Sequence, residues 1–372
     1  MKLFLLIFLA IYTGMHVLVF WGIFPLLKGH PALPTLAGVW MAGMIFAPIV
    51  VRLADQSGYE ALARSLAWVG FSWMGVVFLA FSLFALVECW EVVARLAGWL
   101  LPRWPDLSLH GAVTATLVLL VVIAAGFYGL YEAGNLRAER VRIETPRLPP
   151  GTPPLRIAQV SDLHLGLIHR EEALAPIISR LQDLKPDLVV ATGDIVDAQI
   201  SHLNELSDLW RRVDPPLGKF AVTGNHEFYA GMGQSLDFLR SSGFQVLRNR
   251  ALEVGDRLKL VGVDDPTGGV PDEEGALGER SARFTVLLKH RPWIAADSAG
   301  RFDLQLSGHA HRGQIFPFNF LVGIEYPMQD GLYPLEGGGR LYASRGTGTW
   351  GPPMRILSPP EITLFEIVPE KP

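Results

Sequence analysis

Five short blocks of this sequence hold residue types that bind divalent metal ions and move protons. They are Ser161-Asp-Leu-His164, Gly193-Asp194 with Asp197 three residues on, Gly224-Asn-His-Glu227, His290, and Gly308-His-Ala-His-Arg-Gly-Gln314. Carboxylate, amide oxygen and imidazole together suit Mn, Fe, Zn or similar ions. The single cysteine, Cys89, leaves no thiolate site and no internal disulfide. An Asp can offer one oxygen to each of two ions about 3.5–4 Å apart. His309 and His311, one residue apart, point the same way on an extended segment and could each reach a different ion of such a pair.

Taken singly, an Asp-x-His or a Gly-Asp pair is more often a turn or a helix cap than a ligand. What distinguishes these blocks is where they fall. Apolar runs typical of strands are expected at Leu155–Val160, Leu188–Thr192, Phe220–Thr223, Leu258–Val263, Phe284–Leu288, Leu304–Ser307, Leu341–Ser344 and Glu361–Ile367. Helical periodicity is expected over Glu171–Leu184, His202–Val213 and Gly231–Ser242. Each of the five blocks follows one of the strands, and open α/β sheets bind ligands at the carboxyl ends of their strands. Glycines 193, 224 and 308 permit sharp turns there and close backbone approach. Strands alternating with helices, then mostly strands, imply an α/β sandwich with mixed sheets.

With these blocks in this order, the segment from 155 to 367 resembles the calcineurin-like metallophosphoesterase superfamily. Ser161-Asp-Leu-His-Leu-Gly166, His309-Ala-His-Arg-Gly-Gln314, Ser344-Arg-Gly-Thr-Gly348, Pro353-Met-Arg355 and Pro360-Glu361 are similar to a bacterial-type branch that includes transmembrane members. The resemblance implies a four-layered α/β/β/α sandwich with a two-metal centre at the strand ends. It assigns Asp162, His164 and His311 to one ion, Asn225, His290 and His309 to the other, and Asp194 to both. His226 would protonate the leaving oxygen or stabilise the charged transition state, after in-line attack by water activated between the metals. Asp197 would orient a ligand or stabilise its turn. Two departures stand out. Arg312 replaces the usual Gly after the second His, and its guanidinium could bind a phosphate oxygen or pack on the rim. Glu227 stands where the family usually has Asp.

Residues 1–131 contain eleven of the 68 charged residues, so the chain changes character near Glu132. Four runs free of Asp, Glu, Lys and Arg occupy 3–27, 35–51, 66–87 and 112–131, and three of them reach the roughly 20 residues needed to cross about 30 Å of hydrocarbon. The second is short and contains Pro48. A multi-pass transmembrane domain is expected over 1–135, a linker over 136–154 with its Pro-rich stretch at 148–154, and the catalytic domain over 155–372. Arg140–Glu144 alternates as a short strand would. Glu91–Trp104 reads as an interfacial segment, and Trp21, Trp90, Trp99 and Trp104 fall near span ends. His16 is the ionisable residue well inside a span; it is expected to face another helix. Lys2, Arg52, Arg64, Arg137, Arg140, Arg142 and Arg147 would share one side, against Lys28, Arg95 and Arg103, which favours a cytoplasmic catalytic domain.

The net charge of −4, without a basic arm, gives no reason to expect nucleic acid. The expected partners are the lipid bilayer and a phosphoester, lipid-linked in the first reading because four helices exceed what an anchor needs. The apolar segment Phe316–Tyr333 would suit such a substrate or packing on a membrane. A second reading is a broad phosphodiesterase or protein phosphatase merely localised by its helices. A third makes the metal domain the regulator of a transporter or sensor.

Overall fold

The computed structural model describes residues 2–101, 105, 107–197 and 203–370. The chain forms two compact units, Met1–Tyr131 with Gly351–Met354, and Glu132–Trp350 with Arg355–Pro372.

In the first unit lie α1 (Lys2–Leu27), α2 (Leu33–Gln56), α3 (Glu60–Leu100) and α4 (Ala112–Gly134). All four are long and apolar enough to cross a membrane. Pro48 sits inside α2, which continues past it to Gln56. Of the segment expected to be interfacial, Glu91–Leu100 continues α3, a helix of 41 residues, while Arg103 and Trp104 lie outside the described residues. At about 1.5 Å per residue, α3 is roughly twice as long as the hydrocarbon is thick. Glu91 is buried and accepts from Leu109 N (2.5 Å), His110 N (3.0 Å) and Ser108 Oγ (3.2 Å), satisfying backbone donors ahead of α4. His16 has two partners: Nδ1–H donates to Tyr12 O at 2.8 Å, and Trp73 Nε1–H donates to Nε2 at 3.0 Å. The ring is thereby satisfied within its helices.

The second unit holds two six-stranded mixed sheets. The first is ordered β1 (Arg137–Thr145), β12 (Glu361–Pro369), β2 (Leu155–Val160), β3 (Leu188–Thr192), β4 (Lys219–Val222) and β5 (Phe244–Val246). The second runs β10 (Gly331–Pro334), β11 (Arg340–Ala343), β9 (Leu304–Ser307), β8 (Phe284–Leu288), β7 (Leu258–Gly262) and β6 (Arg250–Val254). β2 to β5 are parallel, as are β7, β8, β9 and β11. Parallel strands covered on both faces read as continuous apolar runs, and β3 and β8 are buried at every residue.

Alternation along the strands fills three cores. Ala158 and Val160 face α5 (Glu171–Leu184), α6 (Asn204–Arg211) and α8 (Met232–Ser241), contributing to a cluster with Leu174, Trp210 and Phe238. Ile157 and Val190 face the second sheet, where Leu260, Val286 and Leu306 meet them. Beyond that sheet, Val261 and Leu287 pack on Leu277 of α9 (Glu273–Leu277). The result is the four-layered α/β/β/α sandwich.

The strand read at Arg140–Glu144 is longer than its alternation indicated. Residues 137–145 form β1, registered in parallel along all of β12, so the stretch assigned to the linker supplies an edge strand. The helix expected from His202 begins at Asn204; His202 lies outside the described residues.

Candidate metal centre

The five blocks meet at the carboxyl ends of β2, β3, β4, β8 and β9. Ser161–His164 leaves β2, Asp194 leaves β3, Asn225 opens the six-residue α7 (Asn225–Ala230) after β4, His290 follows β8, and Gly308–Gln314 follows β9. Three trios of side chains place potential ligand atoms within 4.8 Å of one another: Asp162, His164 and His311; His164, Asp194 and His226; Asp194, His290 and His309. Asp194 Oδ2 lies 3.1 Å from His290 Nε2, and Asp162 Oδ1 lies 3.4 Å from His311 Nε2. Asn225 Oδ1 is 3.2 Å from His290 Nε2, which is 3.0 Å from His309 Nδ1. All seven residues expected as ligands are therefore brought together.

The donor set fits divalent ions. Asp162 and Asp194 are buried carboxylates ringed by imidazoles. Ring nitrogens face each other, His164 Nε2 at 3.2 Å from His311 Nε2, an arrangement a shared cation would satisfy. His164 Nδ1 is buried without a hydrogen-bond partner. His290 Nδ1–H donates to Thr192 O at 2.8 Å, which is how ligating histidines are commonly oriented, leaving Nε2 for the metal.

The electrostatics are those of a charged cluster closed off from water. Burial alone would raise the carboxyls of Asp162 and Asp194, but His311 beside the first and His290 beside the second hold both well below the ordinary carboxylate range. Burial would lower His290, yet Asp194 outweighs it and pushes the imidazole up to about 10. His309 is pushed down to about 3 by burial and by His290, and His311 to about 4 by burial against the pull of Asp162.

His226 sits apart from the ligand role. Its backbone N–H donates to Asp194 Oδ1 at 2.8 Å, and its Nδ1 contacts Asp197 Oδ1. Burial lowers its pKa, but Asp197 and then Asp194 prevail and raise it to about 9. Asp197, read as orienting a metal ligand or a turn, is the partner of His226, with His164 Nδ1 farther off at 3.9 Å. Arg312 occupies a short 3-10 turn with φ +50; its side chain is 41% exposed, and Nε faces Asp330 Oδ2 at 3.4 Å.

Two residues carry more than their sequence context suggested. Glu227, fully buried, accepts from Gly224 N (2.7 Å) and Asp194 N (3.0 Å) with one oxygen, and from Ile195 N (2.7 Å) and Val196 N (3.3 Å) with the other. It pins two ligand blocks through their backbones. The signal was present: an acid three residues after the start of a helix commonly reaches back to the first backbone N–H. Arg355 is fully buried against His311; the stretch Pro353-Met-Arg355 figured in the resemblance, but with no role attached to the arginine. The glycines behave as expected: at Gly224 a Cβ would collide with Asp194 Oδ1, and at Gly308 with Asp162 Oδ2.

Comparison with known proteins agrees with this geometry. Residues 155–313 match the family model described as calcineurin-like phosphoesterase. An uncharacterized metallophosphoesterase of Aquifex aeolicus is 40% identical over 67% of this chain and 98% of its own length. The protein Cj0846 of Campylobacter jejuni, also called an uncharacterized metallophosphoesterase, is 30% identical over 88% of this chain and 90% of its own. A protein of Danio rerio named transmembrane protein with metallophosphoesterase domain is 33% identical over 80% of this chain and 72% of its own. The match runs through every block that delivers an Asp, Asn or His to the strand ends, and the chain belongs to the calcineurin-like metallophosphoesterases, a family of hydrolases.

Proposed function

We propose that the protein is a multi-pass membrane phosphoesterase that uses two divalent ions to hydrolyse a lipid-linked phosphoester. Asp162, His164 and His311 would hold one ion, Asn225, His290 and His309 the other, and Asp194 would serve both. Ions bound there would supply an acidified water and neutralise charge on the phosphoryl oxygens. His226 provides the proton. With Nδ1 engaged by Asp197, Nε2 is the nitrogen left to protonate the leaving oxygen, and Asp197 keeps the ring cationic until it does so. Arg312, half exposed next to His311, would take a phosphate oxygen.

The observation that favours a lipid substrate is the apolar rim. In α10 (Asn319–Glu325) no residue is buried, and Phe316, Phe318, Phe320, Leu321 and Ile324 are all exposed. The same segment leads into Tyr326, whose ring lies 5.1 Å from that of His309. Exposed aliphatic and aromatic groups beside a polar metal centre suit a molecule with a phosphate head and an apolar tail. The purified full-length protein in detergent, given Mn²⁺, should turn over lipid phosphates with higher kcat/KM than p-nitrophenyl esters. Turnover of the soluble esters alone would refute the lipid assignment and leave the hydrolase. The Lys/Arg distribution supports a cytoplasmic catalytic unit; a fluorescent protein fused after Pro372 should then fold and fluoresce, and a dark, exported fusion would reverse the orientation.

A further inference from the structure

Arg355 presents a problem of charge. Its guanidinium is fully buried, and the negative charges that bear on it are those of Asp162, Glu361 and Glu132. Taking an arginine out of water carries a penalty of several kcal/mol unless hydrogen bonds and nearby charge offset it. Its partners are Gly348 O, reached by Nε (2.9 Å) and Nη2 (2.5 Å), Ser358 O, reached by Nη1 (2.8 Å), Ser358 Oγ (3.3 Å), and His311 Nδ1, 3.2 Å from Nη2. Burial pushes the group down to about 10, so the guanidinium is still charged at neutral pH.

Those partners all lead to one half of the metal centre. Gly348 N donates to Asp162 O at 3.0 Å while Gly348 O receives Arg355, so the residue is gripped from both sides. Ser358 Oγ donates to His311 O at 2.7 Å. Within the same unit, Ser358 N donates to Glu132 Oε2 at 3.2 Å. Gly346 passes so close that a Cβ would come within 3.0–3.2 Å of Arg355 Nη2, Asp162 Cβ and His311 Nδ1 together. A guanidinium only donates, so an accepting His311 Nδ1 puts the ring proton on Nε2, the nitrogen aimed at Asp162 and His164. A neutral ring cannot then ligate through Nε2, and the support Arg355 gives this subsite therefore runs through the backbone rather than through the ring.

We propose that Arg355 is the positioning residue of one metal subsite, the trio Asp162, His164 and His311, and that it acts through the backbone at Gly348 and Ser358, which hold Asp162 O and His311 O by their own hydrogen bonds. The inference rests on the two-metal reading above. It predicts a selective loss: without Arg355 one ion binds more weakly, and the ion held by Asn225, His290 and His309 does not.

The test is Mn²⁺ binding to chelator-stripped full-length protein in detergent, counted by electron paramagnetic resonance and titration calorimetry, with no turnover required. Wild type should bind two ions. Arg355→Met should keep one at unchanged affinity and weaken the other about 10–100-fold, the range typical of lost outer partners of metal ligands. Arg355→Lys should not restore it, because an ammonium cannot reproduce the planar fork that spans Gly348 O and Ser358 O. Ser358→Ala, which removes only the hydroxyl bonds, should weaken the same ion by less. Two unchanged affinities in Arg355→Met, or equal weakening of both ions, would overturn the proposal. If Arg355→Met does not fold, Ser358→Ala decides: unchanged binding there overturns it as well. A wild type that does not bind two ions would count against the two-metal reading itself.

Discussion

Replacing Glu227 by Gln is a nearly isosteric change that should cost the protein both stability and turnover. The wild-type carboxylate meets four backbone N–H donors, two per oxygen. A glutamine keeps one oxygen, and its NH₂ must then face two donors with nothing to accept. Hydrogen bonds to charged groups are worth about 1.5–3 kcal/mol each, so two of them amount to about 3–6 kcal/mol. Part of that is returned. Burial, reinforced by the negative charge of Asp194, pushes the Glu227 carboxyl up, so removing the charge relieves a penalty even as the N–H groups lose their anion. A net loss of about 2–3 kcal/mol follows. For a unit of this size that is an apparent Tm lower by about 5–10 °C.

The functional effect is a separate readout. Two of the donors belong to Asp194 and Gly224, so the Gln side chain loosens the carboxylate expected to serve both ions and the turn that carries Asn225. Thermal melts in detergent, with and without Mn²⁺, and kcat on a p-nitrophenyl ester would measure both. A fall in kcat of about tenfold or more is expected, as for other residues that orient metal ligands. A Tm within about 1 °C of wild type together with unchanged kcat would refute the reasoning, since it would mean that four buried donors do not depend on this carboxylate.

Three further outcomes can be checked. In metal-free protein, His226 with its folded pKa near 9 stands above the ordinary 6.5, so its pairing with Asp197 stabilises fully below pH 6.5 and fades as pH rises through about 9; the Tm gap between wild type and Asp197→Asn should be widest near pH 6 and close by about pH 10, and a gap independent of pH would count against the pair. Stripping divalent ions should lower Tm and Mn²⁺ should restore it, by about 4 kcal/mol at a thousandfold excess over Kd; equal melts in chelator and in Mn²⁺ would leave the clustered carboxylates and imidazoles without the assigned purpose. His16→Phe removes the acceptor of Trp73 and should lower stability by about 0.5–1.5 kcal/mol with turnover intact; lost turnover would give His16 a functional role.

The sequence made the strand-end blocks legible because ligand chemistry demands particular residue types, and because buried parallel strands write themselves as unbroken apolar runs. Leu155–Val160, Leu188–Thr192, Phe284–Leu288 and Leu304–Ser307 emerged at their observed bounds for that reason. Elements at the edges did not. β6, with the burial pattern of a half-exposed strand, and β10, four residues ending in Pro334, carry little periodicity to read. β1 was legible only in part, since its outer residues gain their strand character from pairing with β12, 224 positions away. The helical character of the tail of α3 was not legible because Glu91 and Arg95 interrupt the apolar run; Glu91 accepts from backbone donors ahead of α4. The contacts of Glu227 with Asp194 N and of Arg355 with His311 join residues 33 and 44 positions apart, and such contacts leave no pattern in residue types.

What the residue types could least convey is how unusual the backbone of the site is. Asp162, His164, Asp194, His309, His311, Arg312 and Gln314 all have φ between +47° and +69°, the left-handed region that non-glycine residues seldom enter. Each such residue stores on the order of 1 kcal/mol, and it persists only where surrounding bonds over-determine it. Here the blocks determine one another. Asp162 N donates to Gly193 O and His164 N to Asp194 O, each at 3.0 Å, fastening the first block to the second. His226 N donates to Asp194 Oδ1, fastening the third. Gly308 N donates to His290 O at 2.8 Å, and His309 N to Asp162 Oδ1 at 3.0 Å, closing the circuit back to the first. Asp162 and Asp194 thus appear twice, as expected ligands and as acceptors that hold the neighbouring block in its strained form. Removing either carboxylate would release backbone strain as well as delete a donor to the metal, so its effect on stability and on ion binding should not separate cleanly. Glu227 and Arg355 differ in kind: each touches this circuit from outside, through one or two blocks, which is why their substitution can report on how the site is held without removing what it holds.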